Sequence, residues 1–176
     1  MNNIQEDAQK LTQRFYMELS RIILFSSLPV VKMQSLARAL AGKLRAGDIV
    51  TLSGEVGSGK TTFARELIGS LAETAVEVTS PTFNLMQSYD VKLADGSRDT
   101  LWHLDLYRLK HSEEVEELGL RELWPHITLI EWPDVIGGGI PKRHLDVAFD
   151  FGENDTTRSL GLSGDDTWKE RLRDIK

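Results

Sequence analysis

The chain has 176 residues, 40% of them hydrophobic, which is enough for one substantial core and short for two. Lys and Arg number 21 against 27 Asp and Glu, a formal charge of −6, which excludes a surface built to grip nucleic acid unaided. Cysteine is absent, which excludes disulfides, zinc-thiolate sites and thiol nucleophiles. The longest apolar run near the start, Ile22 to Phe25, is too short for a membrane span, and Glu6 and Asp7 precede it where a signal peptide carries positive charge. A cytoplasmic location with no membrane attachment is the expectation.

In chain order, Leu11, Phe15, Leu19, Ile22 and Ile23 recur at helical spacing, so residues 1–30 are expected to form an N-terminal helical extension that Pro29 ends. A main domain over residues 31–164 and a tail or short helix over 165–176 complete the expected organisation. Residues 35–45 carry Leu36, Leu40 and Leu44 on one stripe and read as a helix, after which Gly47 breaks the chain. Ile49-Val50-Thr51-Leu52 suits a buried parallel strand, and from Thr62 the positions Phe63, Leu67 and Leu71 return to helical period.

Between that strand and that helix lies Gly54-Glu55-Val56-Gly57-Ser58-Gly59-Lys60-Thr61, the Walker A pattern of a glycine, four free positions, then glycine, lysine and a hydroxyl residue. Glycines permit positive φ and let backbone N–H groups turn in on phosphate oxygens, while the following helix adds its positive N-terminal end. Lys60 is expected at the β- and γ-phosphates of a nucleoside triphosphate, and the Thr61 hydroxyl at the Mg²⁺ that bridges them. Strand before and helix after are the context that phosphate binding needs and a chance glycine-rich turn lacks.

Further strands are expected over Asn84 to Tyr89, Thr100 to Leu106, Ile127 to Glu131, His144 to Phe151 and Arg158 to Leu162, with a helix over Ser112 to Leu118. Asp95-Gly96 and the polar stretch Gly152 to Thr157 read as hairpin turns, so the fold class is α/β, a three-layer P-loop NTPase type with a mixed, partly antiparallel sheet. Asp165 or Asp166 is placed to start a short terminal helix.

Two of these strands carry carboxylates. Alternation over Thr100 to Arg108 puts Trp102, Leu104 and Leu106 on one face and His103, Asp105 and Tyr107 on the other. Taken alone, that segment fits a half-exposed edge strand; beside a phosphate loop, Asp105 gains a role near Mg²⁺ or the attacking water. Glu131 ends the apolar strand Ile127-Thr128-Leu129-Ile130 in the manner by which such enzymes bring an acid to the metal at the sheet's carboxyl end. Ser80-Pro81-Thr82-Phe83 offers either a loop hydroxyl that senses the γ-phosphate or a plain Ser-Pro turn with a buried Phe83.

Together SGEVGSGKTTFARELI, TSPTFNLMQSY, LWHLDLYRL, EELGL and LIEWPD, in this order, resemble the TsaE (YjeE) family of bacterial tRNA-modification ATPases, over roughly Ser35 to Trp132. The resemblance implies ATP hydrolysis with Mg²⁺ in support of threonylcarbamoyladenosine formation on tRNA, alongside the TsaD transferase and TsaB, which would carry most of the tRNA contact. It places Walker A roles on Gly54, Gly57, Gly59, Lys60, Thr61 and Thr62, the loop threonine on Thr82, the essential strand aspartate on Asp105, and a Walker-B-like carboxylate on Glu131 with Trp132 beside the nucleotide. Glu55, Val56 and Ser58 complete the expected nucleotide contacts, and Glu55-Val56-Gly57-Ser58 departs from the family's usual Asp-Leu-Gly-Ala. The alternatives are a small-molecule P-loop kinase, for which no arginine-rich lid is evident beyond Arg98, Arg108 and Arg121, and a non-catalytic nucleotide switch. No Asn-Lys-x-Asp motif supports a GTPase.

Overall fold

A computed structural model describes residues 20–175. Seven strands, Ser20–Pro29 (β1), Ile49–Ser53 (β2), Met86–Lys92 (β3), Arg98–Asp105 (β4), Ile127–Glu131 (β5), Leu145–Phe151 (β6) and Thr157–Gly164 (β7), form one sheet in the order β1-β7-β6-β2-β5-β4-β3. Strand β2 runs parallel to β5 on one side and β6 on the other, and β5 runs parallel to β4. Every residue of β2 and β5 is buried, as expected of parallel strands covered on both faces.

Both sheet flanks are antiparallel: β3 pairs with β4, and β7 pairs with β6. The two expected hairpins sit between these strands, with Gly96 at φ 88° in the first. Strand β1 closes the other edge against β7.

Helices Val30–Ala41 (α1) and Lys60–Leu71 (α2) cover one face, their Met33, Leu36, Leu40, Phe63, Leu67 and Ile68 packing on Val50, Leu52 and Leu129. The two helices are joined by Gln34 and Arg38, which donate to Glu66 at 3.0 and 2.6 Å. Asp166–Arg171 (α4) adds Trp168 to that core, and its N-cap is Asp165, whose carboxylate accepts the Trp168 N–H. Ser112–Glu116 (α3) with the 3₁₀ segments Leu120–Glu122 and Pro133–Gly139 covers the second face around Leu104, Leu106 and Ile130. The three-layer α/β expectation holds.

The N-terminal expectation does not hold where it can be compared. Ser20–Pro29 is a strand, not the end of a helix, and Pro29 stands at the N-cap of α1 instead of ending an earlier helix. Leu11, Phe15 and Leu19 lie outside the described residues. Ile22, Ile23, Phe25 and Leu28 pack on the core from the extended chain, so pairing with β7 overrides a helical spacing that is only a weak local preference. Likewise α1 begins earlier than expected, and Gly42 is its C-cap.

One buried acid belongs to the frame. Asp146 on β6 accepts from the Thr51 hydroxyl at 2.9 Å and the Ser53 hydroxyl at 3.4 Å, while its second oxygen has no partner. Burial pushes its pKa up to about 7, against the lowering effect of the two hydroxyls and with a further push from the nearby Asp134 charge. The folded state therefore holds a proton that the unfolded chain has released, and this stabilisation is full below about pH 4 and lost as pH rises to about 7. The stability of the wild-type chain minus that of Asp146→Asn should fall over that window, by up to about 4 kcal/mol. Denaturant titration of both proteins across the range measures it, and a difference that stays flat refutes a proton on Asp146.

Candidate functional site

The glycine-rich loop leaves β2 at Gly54 and enters α2 at Lys60, with Gly59 at the N-cap in left-handed conformation. Gly54 is required twice over. Its φ is +130°, and a Cβ there would stand 2.3 Å from the Phe149 carbonyl oxygen of β6. The Ser58 N–H donates to the Glu55 carbonyl at 3.2 Å, and the Ser58 side chain is fully buried with an unpartnered hydroxyl. Glu55, Val56 and Gly57 are exposed at the loop's crest.

Lys60 lies back along this loop. Its Nζ donates to the Gly54 and Glu55 carbonyls, each at 2.7 Å, and sits 3.9 Å from the centre of the Trp132 ring. Burial lowers its pKa, and the charges of Glu131 and Asp105 pull the other way. A phosphate reaching this ammonium would therefore find it held by neutral acceptors only.

Two carboxylates close the other side. Asp105 and Glu131 end β4 and β5 and are direct register partners, although 26 positions part them in sequence. Glu131 accepts the Thr61 hydroxyl on Oε2 at 2.8 Å and pairs through Oε1 with His103 Nε2 at 2.9 Å. Because the carboxylate is the acceptor, Nε2 carries the proton in this pair; Nδ1 has no partner. Asp105 accepts from Ser80 at 2.6 Å and Thr82 at 2.5 Å on Oδ2, and from the Tyr107 N–H at 3.1 Å on Oδ1. The Ser80–Thr82 segment is thus tied to a strand carboxylate; the chain does turn here, the Leu85 N–H donating to the Pro81 carbonyl at 2.6 Å, but Phe83 is 84% exposed and not buried.

A cavity of about 360 Å³ opens between these groups, lined by Val56, Gly57, Gly59, Lys60, Thr61, Thr62, Ser80, Thr82, Asp105, Tyr107, Glu131 and Trp132. Nine of the expected site residues meet there: Val56, Gly57, Gly59, Lys60, Thr61, Thr62, Thr82, Asp105 and Glu131, with Trp132 a tenth. Gly54, Glu55 and Ser58 belong to the loop but are not among the residues that line the cavity. Trp132 adopts φ +60°, ψ +57°, an uncommon conformation for a bulky residue, which turns its ring over Lys60 and to within 4.9 Å of the Tyr107 ring centre.

The edge-strand interpretation of β4 is wrong. β4 lies between β3 and β5, and its polar face is buried: His103 is 0% and Asp105 3% exposed, whereas Tyr107, beyond the strand's end, is 54% exposed. Sequence reasoning left His103 and Ser80 without a site role, although both lay in segments it had marked. Arg158, which grips the loop from β7, carried no signal at all.

As for metal, Thr61 and Glu131 present a hydroxyl and a carboxylate 2.8 Å apart, hard oxygen donors of the kind Mg²⁺ takes. Among the described residues no group of three or more His, Cys, Asp or Glu side chains is arranged to hold a metal by itself. Such a sparse protein donor set fits an ion that keeps waters and shares phosphate oxygens.

The family model for threonylcarbamoyl adenosine biosynthesis protein TsaE matches residues 30–160. The chain belongs to the TsaE family. A Rickettsia bellii protein named tRNA threonylcarbamoyladenosine biosynthesis protein TsaE is 40% identical over 123 residues, 69% of this chain and 82% of that one. A Bacillus subtilis protein of the same name is 34% identical over 116 residues, 65% of this chain and 68% of that one. The crystal structure of Bacillus subtilis YdiB superposes with a TM-score of 0.69 at 22% identity, covering 88% of this chain and 93% of that one, which supports the mixed α/β fold. Among the described residues of this TsaE-family chain no helix is long and apolar enough to cross a membrane.

Proposed function

We propose that the chain binds and hydrolyses ATP with Mg²⁺ in support of threonylcarbamoyladenosine formation on tRNA, in association with TsaD and TsaB. The observation that carries this reading is the convergence of Lys60, Thr61, Asp105 and Glu131 on one cavity at the carboxyl ends of β2, β4 and β5. The glycine-rich loop would cradle the phosphates with its N–H groups and the α2 N-terminus, and Lys60 would neutralise the β- and γ-oxygens. Thr61 and Glu131 would hold Mg²⁺, which supplies charge neutralisation at the transferring phosphoryl group.

Asp105 would serve a different task. Ser80 and Thr82 fix its carboxylate, so it would orient a water for attack instead of drifting toward the metal. Among the described residues that line the cavity, Lys60 alone is cationic, which supports hydrolysis completed by partners over a kinase with its own arginine lid. The tRNA is reached through those partners, in keeping with the net charge of −6, and the chain works in the cytoplasm where tRNA is modified.

ATP turnover by this chain, alone and with TsaB and TsaD from the same source, tests the proposal. Strong stimulation by the partners supports it. Equal turnover with and without them, or phosphoryl transfer to a small acceptor, overturns it.

A further inference from the structure

Arg158 is the first charged residue of β7 and belongs by sequence to the C-terminal hairpin, yet its guanidinium reaches the glycine-rich loop. Nε donates to the Ser58 carbonyl at 3.1 Å and one terminal nitrogen to the Gly57 carbonyl at 3.2 Å. The other terminal nitrogen donates to Asp155 and Thr157 carbonyls at 2.9 and 2.7 Å, and the group lies 5.3 Å from the centre of the Phe151 ring. The fork is thus anchored in its own hairpin and spends its two remaining directions on consecutive loop peptides.

In a trans peptide the C=O and the N–H point opposite ways. Holding the Gly57 carbonyl therefore aims the Ser58 N–H away from Arg158, toward the Glu55 carbonyl it donates to. Holding the Ser58 carbonyl aims the Gly59 N–H the same way, and Gly59 lines the cavity while Arg158 does not. The arginine's Cγ also backs Gly59, at 4.0 Å from where a Cβ would stand.

We propose that Arg158 is a positioning residue for phosphate binding: it holds the Gly57 and Ser58 carbonyls outward so that the loop's N–H groups are preorganised before nucleotide arrives. This rests on the nucleotide-binding reading above. It also makes the C-terminal hairpin, and through the Leu28–Arg158 pairing the edge strand β1, part of the phosphate site's support.

The test compares wild type, Arg158→Ala and Arg158→Lys in the full chain, by Mg·ADP affinity and by amide hydrogen exchange of the nucleotide-free proteins. Lysine keeps the stem and charge but lacks the planar fork that is anchored on the Asp155 and Thr157 carbonyls while it reaches the Gly57 and Ser58 carbonyls. The Kd for Mg·ADP should rise roughly 10-fold in Arg158→Ala and by a smaller factor in Arg158→Lys. Exchange should quicken at the Ser58 and Gly59 amides while the amides of β2 and β5 keep their protection. Wild-type affinity and exchange in both variants overturn the inference, as does faster exchange across the whole sheet, which marks a general structural role. If Arg158→Ala does not fold, Arg158→Lys decides. Binding that is lost in Lys60→Ala but untouched by the Arg158 changes refutes this inference alone, whereas a wild-type chain with no affinity for Mg·ADP refutes the nucleotide reading with it.

Discussion

Lys60→Ala is expected to lower affinity for Mg·ATP by roughly 100-fold or more, the scale of losing charge-assisted hydrogen bonds to two phosphates. Among the described residues that line the cavity no other carries a positive charge, so no lining side chain substitutes for it. A second consequence follows from its hydrogen bonds. The ammonium holds the Gly54 and Glu55 carbonyls, so its removal also frees the start of the loop. Burial in the nucleotide-free protein costs the ammonium some of its charge preference, and a bound triphosphate would restore it. Titration calorimetry with Mg·ATP, with circular dichroism to confirm the fold, measures the effect. A variant that binds as wild type does would show that this loop is not the phosphate site.

Asp105→Asn and Glu131→Gln should fail in different ways, because their partners differ. Asp105 is held by the Ser80 and Thr82 hydroxyls and the Tyr107 N–H, none of which is an expected metal ligand. Asparagine keeps the shape and removes the charge that would orient water. The variant should bind Mg·ATP nearly normally and lose roughly 10²-fold or more in turnover within the partner assembly. Glu131 accepts the Thr61 hydroxyl, so Glu131→Gln should weaken the Mg²⁺-dependent part of nucleotide affinity as well as turnover. Comparing affinities with Mg²⁺ and with a chelator separates the two. Normal hydrolysis by Asp105→Asn in the full assembly would make that residue a structural anchor for the Ser80–Thr82 segment and nothing more.

The difference between β2 and β1 explains what could be read in advance. Strand, loop and helix from Ile49 to Leu71 are contiguous, and each piece is set by local preferences: β-branched residues in a buried strand, glycines at positive φ, and a helix resuming its period. β5 ends at Glu131 as expected, for the same reason. In β1 the local signal favoured a helix, while its partners on the deciding strand, β7, lie 128 to 144 positions away. Pairing of that range leaves no periodic trace in a segment with bulges between Arg21 and Ile23 and between Phe25 and Leu28.

The site divides along the same line. By itself the sequence determined the fold class, the loop from Gly54 to Thr61 and the candidate acids Asp105 and Glu131, because each is announced by residue type at fixed local spacing. Only the tertiary structure decided that the two acids are register partners on adjacent parallel strands and that Thr61 meets Glu131. It also decided that His103 is buried against that carboxylate and that Arg158 reaches back 100 positions to hold Ser58. Those contacts depend on strand order and register, which the global packing of the sheet sets, so no window of the chain contains them.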